Sequence, residues 1–274
     1  MSQILDTLSA SEIAQSIESN MFEAVKLRGL WAGAEIHDEP GLLWCITDVP
    51  IPLLNVVLRA QLSAEQIEPA IQAALARSAA RKVPFIWGTG PSTRPTDLAE
   101  RLAAHGFIHG GDMPGMAMDL QKINEPTKPP TGLTIKRVDR ENDIRTCCQI
   151  VFARTGGMPL PIANAFADLY ASVGNGTSST SIRYYLGFLN GEAVAAANLV
   201  LAAGVAGIYN VATVPEAQRK GIGSAITLAP LHEARALGYR IGVLGSSEMG
   251  YKVYLRLGFR EYCKFGLYIW TGAR

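Results

Sequence analysis

The same order of segments occurs twice in this chain, and that repetition constrains its fold more than any other feature. In the second half IYNVAT has the pattern of a strand, IGSAITLAPLHEARAL of a helix, RIGVLG of a strand and EMGYKVYLRL of a helix, before Gly258-Phe259 opens the last strands. In the first half PLLNVVLRA, AEQIEPAIQAALARSAA, VPFIWG and TDLAERLAAH follow the same order, before Gly106-Phe107 and DMPGMAMDL. Similarity on the scale of a whole domain means two copies of one fold unit, since solenoid repeats have periods of about 20–50 residues. The proline-rich run NEPTKPPTG has no helix or sheet role and is predicted as a linker over 124–132. It separates an N-terminal domain, 1–123, from a C-terminal domain, 133–274, both of the α/β (α+β) class.

Composition narrows what the units can do. The chain has 274 residues, 48% hydrophobic and 18% charged, with a net charge of +1. That balance gives no electrostatic case for nucleic acid or an anionic membrane. Cys45, Cys147, Cys148 and Cys263 form no C-x-x-C, so neither a zinc framework nor a disulfide scaffold is expected, and reduced thiols in the cytoplasm are the simpler reading. The N-terminus carries acids and no basic n-region, unlike a signal peptide. AVAAANLVLAAGVAGIY, Ala193 to Tyr209, is nearly all apolar, and a spanning helix needs about 20 such residues. Asn198, Gly204 and Gly207 interrupt it, so it is predicted as two buried strands joined at Ala203-Gly204 and not as a membrane span.

The copies differ where chemistry would sit. The first half enters its helix through QLSAEQIEPA, without glycine, and has Leu102 where the second has Tyr254. A single active site therefore belongs to the second half. There VPEAQRKGIGSAI, Val214 to Ile226, leads from a strand into a helix. It is not a P-loop, which needs G-x-x-x-x-G-K-[ST], nor a dinucleotide fingerprint, because Ile226 stands at the third glycine position. What remains is a helix N-terminus, with unpaired N–H groups and the positive dipole end, made approachable by Gly221 and Gly223. Pro230, inside that helix, is expected to kink it or end its first segment early.

Val214-Pro215-x-x-Gln218-x-x-Gly221-x-Gly223 resembles the acetyl-CoA pyrophosphate motif of the GNAT superfamily, the GCN5-related N-acetyltransferases. Tyr254-Leu255-Arg256-Leu257-Gly258-Phe259 resembles its Y-x-x-L-G-F signature, and the match covers about residues 131 to 274. The first half is similar in layout only, as in tandem GNAT proteins with one degenerate copy. The resemblance implies two GNAT-like units, each a mixed, twisted central sheet flanked by helices, with IYNVAT splayed from RIGVLG in the C-terminal unit. It implies an enzyme transferring acetyl from acetyl-CoA to a primary amine of a small acceptor. Val211, Ala212 and Thr213 would meet the pantetheine through backbone groups. Gln218, Arg219, Lys220, Gly221, Ile222, Gly223 and Ser224 would cradle the pyrophosphate, with Arg219 or Lys220 on a phosphate of the adenosine end. Tyr254 would be the general acid, and Ser247 stands where many relatives carry an asparagine touching pantetheine.

The general base is open between solvent, Tyr209 and Glu248 acting through water, and Asn210, which could orient a water. Gly157 and Met158, in ARTGGMPLP, are the expected acceptor contacts together with Asn210. The alternatives are a non-catalytic acyl-CoA-binding or regulatory module, and an acyltransferase with another donor or acceptor. His105 and His109 lack the carboxylate spacing of a metal site, and none is expected. Cys147-Cys148 are predicted to pack as small apolar groups in a helix. Nothing in the sequence selects an oligomeric state.

Overall fold

The computed structural model describes residues 4–5, 9–125, 130–175 and 181–272. Residues 126–129 of the expected linker lie outside the described residues. The chain divides into two compact units, and neither is one half of the sequence. The larger unit comprises Met1–Met21 and Gly115–Tyr262, the smaller Phe22–Pro114 and Cys263–Arg274.

The larger unit has a mixed sheet in the order β5-β10-β9-β8-β7-β6. Its strands are the end of β5 (Ile108–Asp119), β6 (Leu133–Val138), β7 (Ile182–Leu189), β8 (Glu192–Ala202), β9 (Val205–Thr213) and β10 (Ile241–Gly245). Its helices are α1 (Ala10–Lys26, as far as Met21), α4 (Glu141–Cys148), α5 (Leu160–Asn175), α6 (Ile222–Ala236) and α7 (Glu248–Leu257). The apolar run is the β8–β9 hairpin, as its punctuation predicts. Ala203 and Gly204 turn it at φ of 51° and 74°, the left-handed pair that a tight hairpin between twisted strands needs. A π-helical stretch, Gln149–Thr155, continues α4. Cys147 and Cys148, the last residues of α4, are buried, and burial pushes both thiols up, Cys148 to about 12. Among the described residues no helix is long and apolar enough to cross a membrane.

The smaller unit is built on β1 (Ala34–Glu39), β2 (Leu42–Thr47), β3 (Val56–Leu58) and β4 (Phe85–Thr89), with α2 (Ala64–Arg81) and α3 (Leu98–Ala104). Its sheet runs β1-β2-β3-β4 and then takes in β11 (Arg260–Trp270). Two of its elements depart from the sequence reading. PLLNVVLRA is a strand only over Val56–Leu58, because Pro52 starts a 3-10 turn and Arg59 adopts φ 53°. The end strands also change places. Residues Gly115–Asp119 of β5 pair antiparallel with β10, and Gly266–Trp270 of β11 pair antiparallel with β4.

Pro230 does not end its helix: α6 runs unbroken to Ala236. An interior proline costs about 3 kcal/mol. Ile222, Ile226, Leu228 and Leu231 on the same helix are all buried, at about 1.5–3 kcal/mol each, and outweigh that cost.

A buried carboxamide on α1 ties that helix to the larger unit's sheet. Asn20 is wholly buried. Its Nδ2 donates to the carbonyls of Val200 and Ala202 at 3.2 and 3.0 Å, and its Oδ1 accepts from the Tyr209 hydroxyl at 2.7 Å. Gly207 makes room for it, since a Cβ there would stand 1.9 Å from Asn20 Oδ1.

Candidate active site

The site begins with a defect in β9. Ala196 pairs with Ala212 and Asn198 with Tyr209, so Asn210 and Val211 together face Ala197. This bulge, with Asn210 at φ 53°, bends the strand and sharpens its twist. β9 and β10 pair in parallel through Ala206–Ile208 and no further. Beyond that point the strands part, as expected for the C-terminal unit. Val214 N–H donates to the Val194 carbonyl at 2.9 Å. By strand alternation Ala212 also turns its backbone groups to β8, and Val211 and Thr213 turn theirs into the wedge. Gln218 Nε2 already donates to the Thr213 carbonyl at 3.0 Å.

The glycine loop closes one end of the wedge. Gly221 is the N-cap of α6 at φ 80°, and Arg219 has φ 59°. Five elements converge on a cleft of about 400 Å3: the end of β9, the loop, the first turns of α6, the start of α7 and Thr155. Val211, Ala212, Thr213, Gln218, Arg219, Gly221, Gly223, Ser224, Ser247 and Tyr254 all line it. The other sequence-derived residues do not. Ile222 buries its side chain in the core, and Lys220 Nζ donates to the Glu216 carbonyl at 3.0 Å. Asn210 forms the bulge, and Gly157 (φ 64°) and Met158 follow the π-helical stretch.

Tyr254 is 8% exposed. Its ring lies over Gly250, where a Cβ would come within 2.7 Å of it, and meets Phe259 at 65° with centroids 5.8 Å apart. The Gly-Phe signature therefore positions the tyrosine directly. Burial pushes its phenol up to about 12, so it is a proton donor throughout the neutral range. Ser247 caps α7, its Oγ accepting from Gly250 N–H at 3.2 Å. Neither tyrosine nor glutamate proposed as a base lines the cleft. Tyr209 spends its hydroxyl on Asn20, and burial raises its pKa. Glu248 is exposed in the first turn of α7.

Six lining residues were missed by sequence reasoning, Thr155, Thr227, Met249, Gly250, Val253 and Arg256, and two of these bear on the chemistry. Arg256 sits inside the quoted Y-x-x-L-G-F signature, and helical spacing from Met249 and Val253 could have flagged it. Thr155 lines the cleft with a buried Oγ1 that has no hydrogen-bond partner among the described residues. An orphaned hydroxyl of this kind costs about 1–3 kcal/mol and is better explained by a ligand than by folding. Among the described residues no group of three or more histidine, cysteine or carboxylate side chains is arranged to hold a metal.

In the smaller unit the corresponding wedge is filled. β3 pairs with β4 at Val56 and Val57, and Arg59 then bulges. Past it, Arg94 N–H donates to the Ala60 carbonyl at 2.7 Å, and Leu62 N–H donates to the Arg94 carbonyl at 3.3 Å. Residues 90–97, which join β4 to α3, thus lie against the strand like a short added one.

Residues 160–259 match the model of the acetyltransferase (GNAT) family. No curated protein matches the chain. Among solved structures it is similar to a GCN5-related N-acetyltransferase from Kribbella flavida, at 18% identity and TM-score 0.70, covering 93% of this chain and 96% of that one. A GCN5-related N-acetyltransferase from Sphaerobacter thermophilus aligns at 15% identity and TM-score 0.63, over 97% and 94% of the two chains. A tandem GNAT protein from the clavulanic acid biosynthesis pathway aligns at 12% identity and TM-score 0.63, over 98% of each. The chain carries a GNAT-family acetyltransferase domain in its second half, within a tandem GNAT fold.

Proposed function

We propose that the protein is an acetyl-CoA-dependent N-acetyltransferase with one active site, the cleft of the larger unit, acting on a primary amine of a small acceptor. The observation that carries this reading is the Tyr254 hydroxyl, without a hydrogen-bond partner among the described residues, in a cleft that also holds the open edge of β9 and the N-terminus of α6. The residues present suit the cofactor. Val211 offers unpaired backbone groups to an amide-bearing arm. The first N–H groups of α6 and the guanidinium groups of Arg219 and Arg256 suit a pyrophosphate. Thr155 Oγ1 is free to hydrogen-bond. Acetyl-CoA supplies a thioester-activated acetyl group.

In this reading Tyr254 hands a proton to the leaving sulfur. A desolvated phenol is a weaker acid than one in water, but the same desolvation makes an anion beside it a stronger base, so donor and acceptor stay matched. Among the described residues that line the cleft there is no carboxylate, histidine or cysteine to act as a base. The acceptor amine then reacts after losing its proton to solvent.

Calorimetric titration of acetyl-CoA into the wild type and Gly221→Glu tests the reading, with an amine-library assay. One site per chain, lost in a still-folded Gly221→Glu, supports it. No binding by the wild type would sink it. Binding without turnover of any amine would favour a non-catalytic acyl-CoA-binding module.

A further inference from the structure

The smaller unit holds a second cavity, of about 410 Å3, which acetyl transfer does not use. Its floor is the sheet, with Trp44 and Ile46 of β2, Val57 of β3 and Phe85 of β4. Its roof is α2, which lines it with Ala70, Ala73 and Ala74, the smallest side chains a helix can bring onto a sheet. The burial along the two equivalent helices shows how open this roof is. α6 has 15 residues and buries seven of them, Ile222 to Ala234. α2 has 18 and buries only Ile67, Ile71 and Ser78. Protein interiors rarely leave voids larger than a water, and ligand pockets span about 300–1,000 Å3.

The polar groups at the inner end are already satisfied. Ser78 Oγ donates to the Val83 carbonyl. Asn55 Nδ2 donates to the carbonyls of Val49 and Ile51, and its Oδ1 accepts from Thr47 N–H. Arg77 is different. Its guanidinium carbon lies 4.5 Å from the centroid of the Trp44 ring, which His37 also stacks upon at 3.7 Å. Among the described residues Arg77 makes no hydrogen bond or ion pair, although its charge reaches the Glu35 carboxylate, which His37 and Arg81 already hold. A stacked guanidinium is held in orientation while its five N–H donors remain available for a carboxylate. The rim carboxylate, Glu39, lies 3.9 Å from His37.

We propose that this cavity binds an amphiphilic carboxylate, with an unbranched apolar body on the Trp44–Ile46–Val57 floor and its carboxylate on Arg77. The site is separate from the acetyl-transfer cleft and needs no acetyl-CoA. The test is calorimetric titration of decanoate, below its micellar concentration, into the full-length protein. Saturable one-to-one binding is expected, at least tenfold weaker in Arg77→Leu and abolished in Ala74→Trp, which fills the space. Ala70→Leu, a milder filling, is expected to weaken binding should Ala74→Trp misfold. Decanol, uncharged at the same chain length, is expected to bind at least tenfold more weakly than decanoate. Absence of binding by the wild type overturns the proposal. Binding that survives filling overturns the location, and equal affinity for decanol or in Arg77→Leu overturns the carboxylate. Because acetyl-CoA is absent throughout, failure of the acetyltransferase reading leaves these outcomes unchanged.

Discussion

β3 and β9 leave their parallel neighbours in the same way and then meet different fates. Each pairs for two or three residues, and each reaches a non-glycine residue at φ 53°, Arg59 in one and Asn210 in the other. Past the bulge, Ala60 and Leu62 exchange hydrogen bonds with Arg94, whereas β10 offers nothing to Val211 and Thr213. The cause is the length of the following connection. Residues 90–97 join β4 to α3 and have room to fold back, but only Ser246 and Ser247 join β10 to α7. The bulge makes the wedge, and the connection decides whether it stays open. A copy can therefore close its wedge while keeping its fold.

The largest effect expected of any change to the open wedge is that of Tyr254→Phe. Loss of a general acid should lower kcat by about 10²–10⁴-fold while the acetyl-CoA dissociation constant stays within a few-fold. Unchanged kcat would remove the tyrosine from the chemistry. Gly250→Ala should displace the same ring through the 2.7 Å clash and lower kcat roughly tenfold, with the phenol still present.

Asn20→Leu asks how far the open wedge depends on α1. It leaves the Tyr209 hydroxyl and the carbonyls of Val200 and Ala202 without their partner, and should lower unfolding free energy in urea by roughly 2–4 kcal/mol. A loss below about 0.5 kcal/mol would show that water replaces the carboxamide.

The pH profile carries a smaller effect with a definite sign. Burial disfavours the phenolate of Tyr254, so its protonated, active form persists until pH rises through about 12. Activity should therefore rise about tenfold per pH unit below the acceptor amine's own pKa, then stay level to pH ~11. An alkaline fall near pH 10, where an ordinary phenol titrates, would contradict the burial of Tyr254.

The smallest expected effect comes from opening the closed wedge. Shortening residues 90–97 frees Ala60 and Leu62 but restores no glycine at the start of α2, so acetyl-CoA stoichiometry should remain one per chain. A second site in calorimetry would mean that filling alone separates the copies.

Much of this was legible in the sequence for local reasons. Strand and helix periodicities, the Ala203-Gly204 turn and the glycine loop all express backbone preferences within a few residues. Ten of the lining residues followed from two short motifs, the end of the strand before the first and the serines beside the helix starts. What escaped depends on distant pairing. β5 and β11 both follow a Gly-Phe pair and carry similar apolar patterns, so nothing local tells either strand which neighbour to take. Asn20 is one polar residue on an amphipathic helix until β8 and β9 surround it. Thr155 becomes informative only through its unmet hydroxyl.

The exchanged end strands bear on how such a chain could be divided. A break within 124–132 would leave the first fragment holding Gly115–Asp119, which β10 needs, and the second holding Gly266–Trp270, which β4 needs. Each piece would expose a bare sheet edge, prone to pairing with whatever strand it met. The two fragments made together would each hold the strand that the other lacks, so complementation of separately made halves is the form in which such a division could succeed.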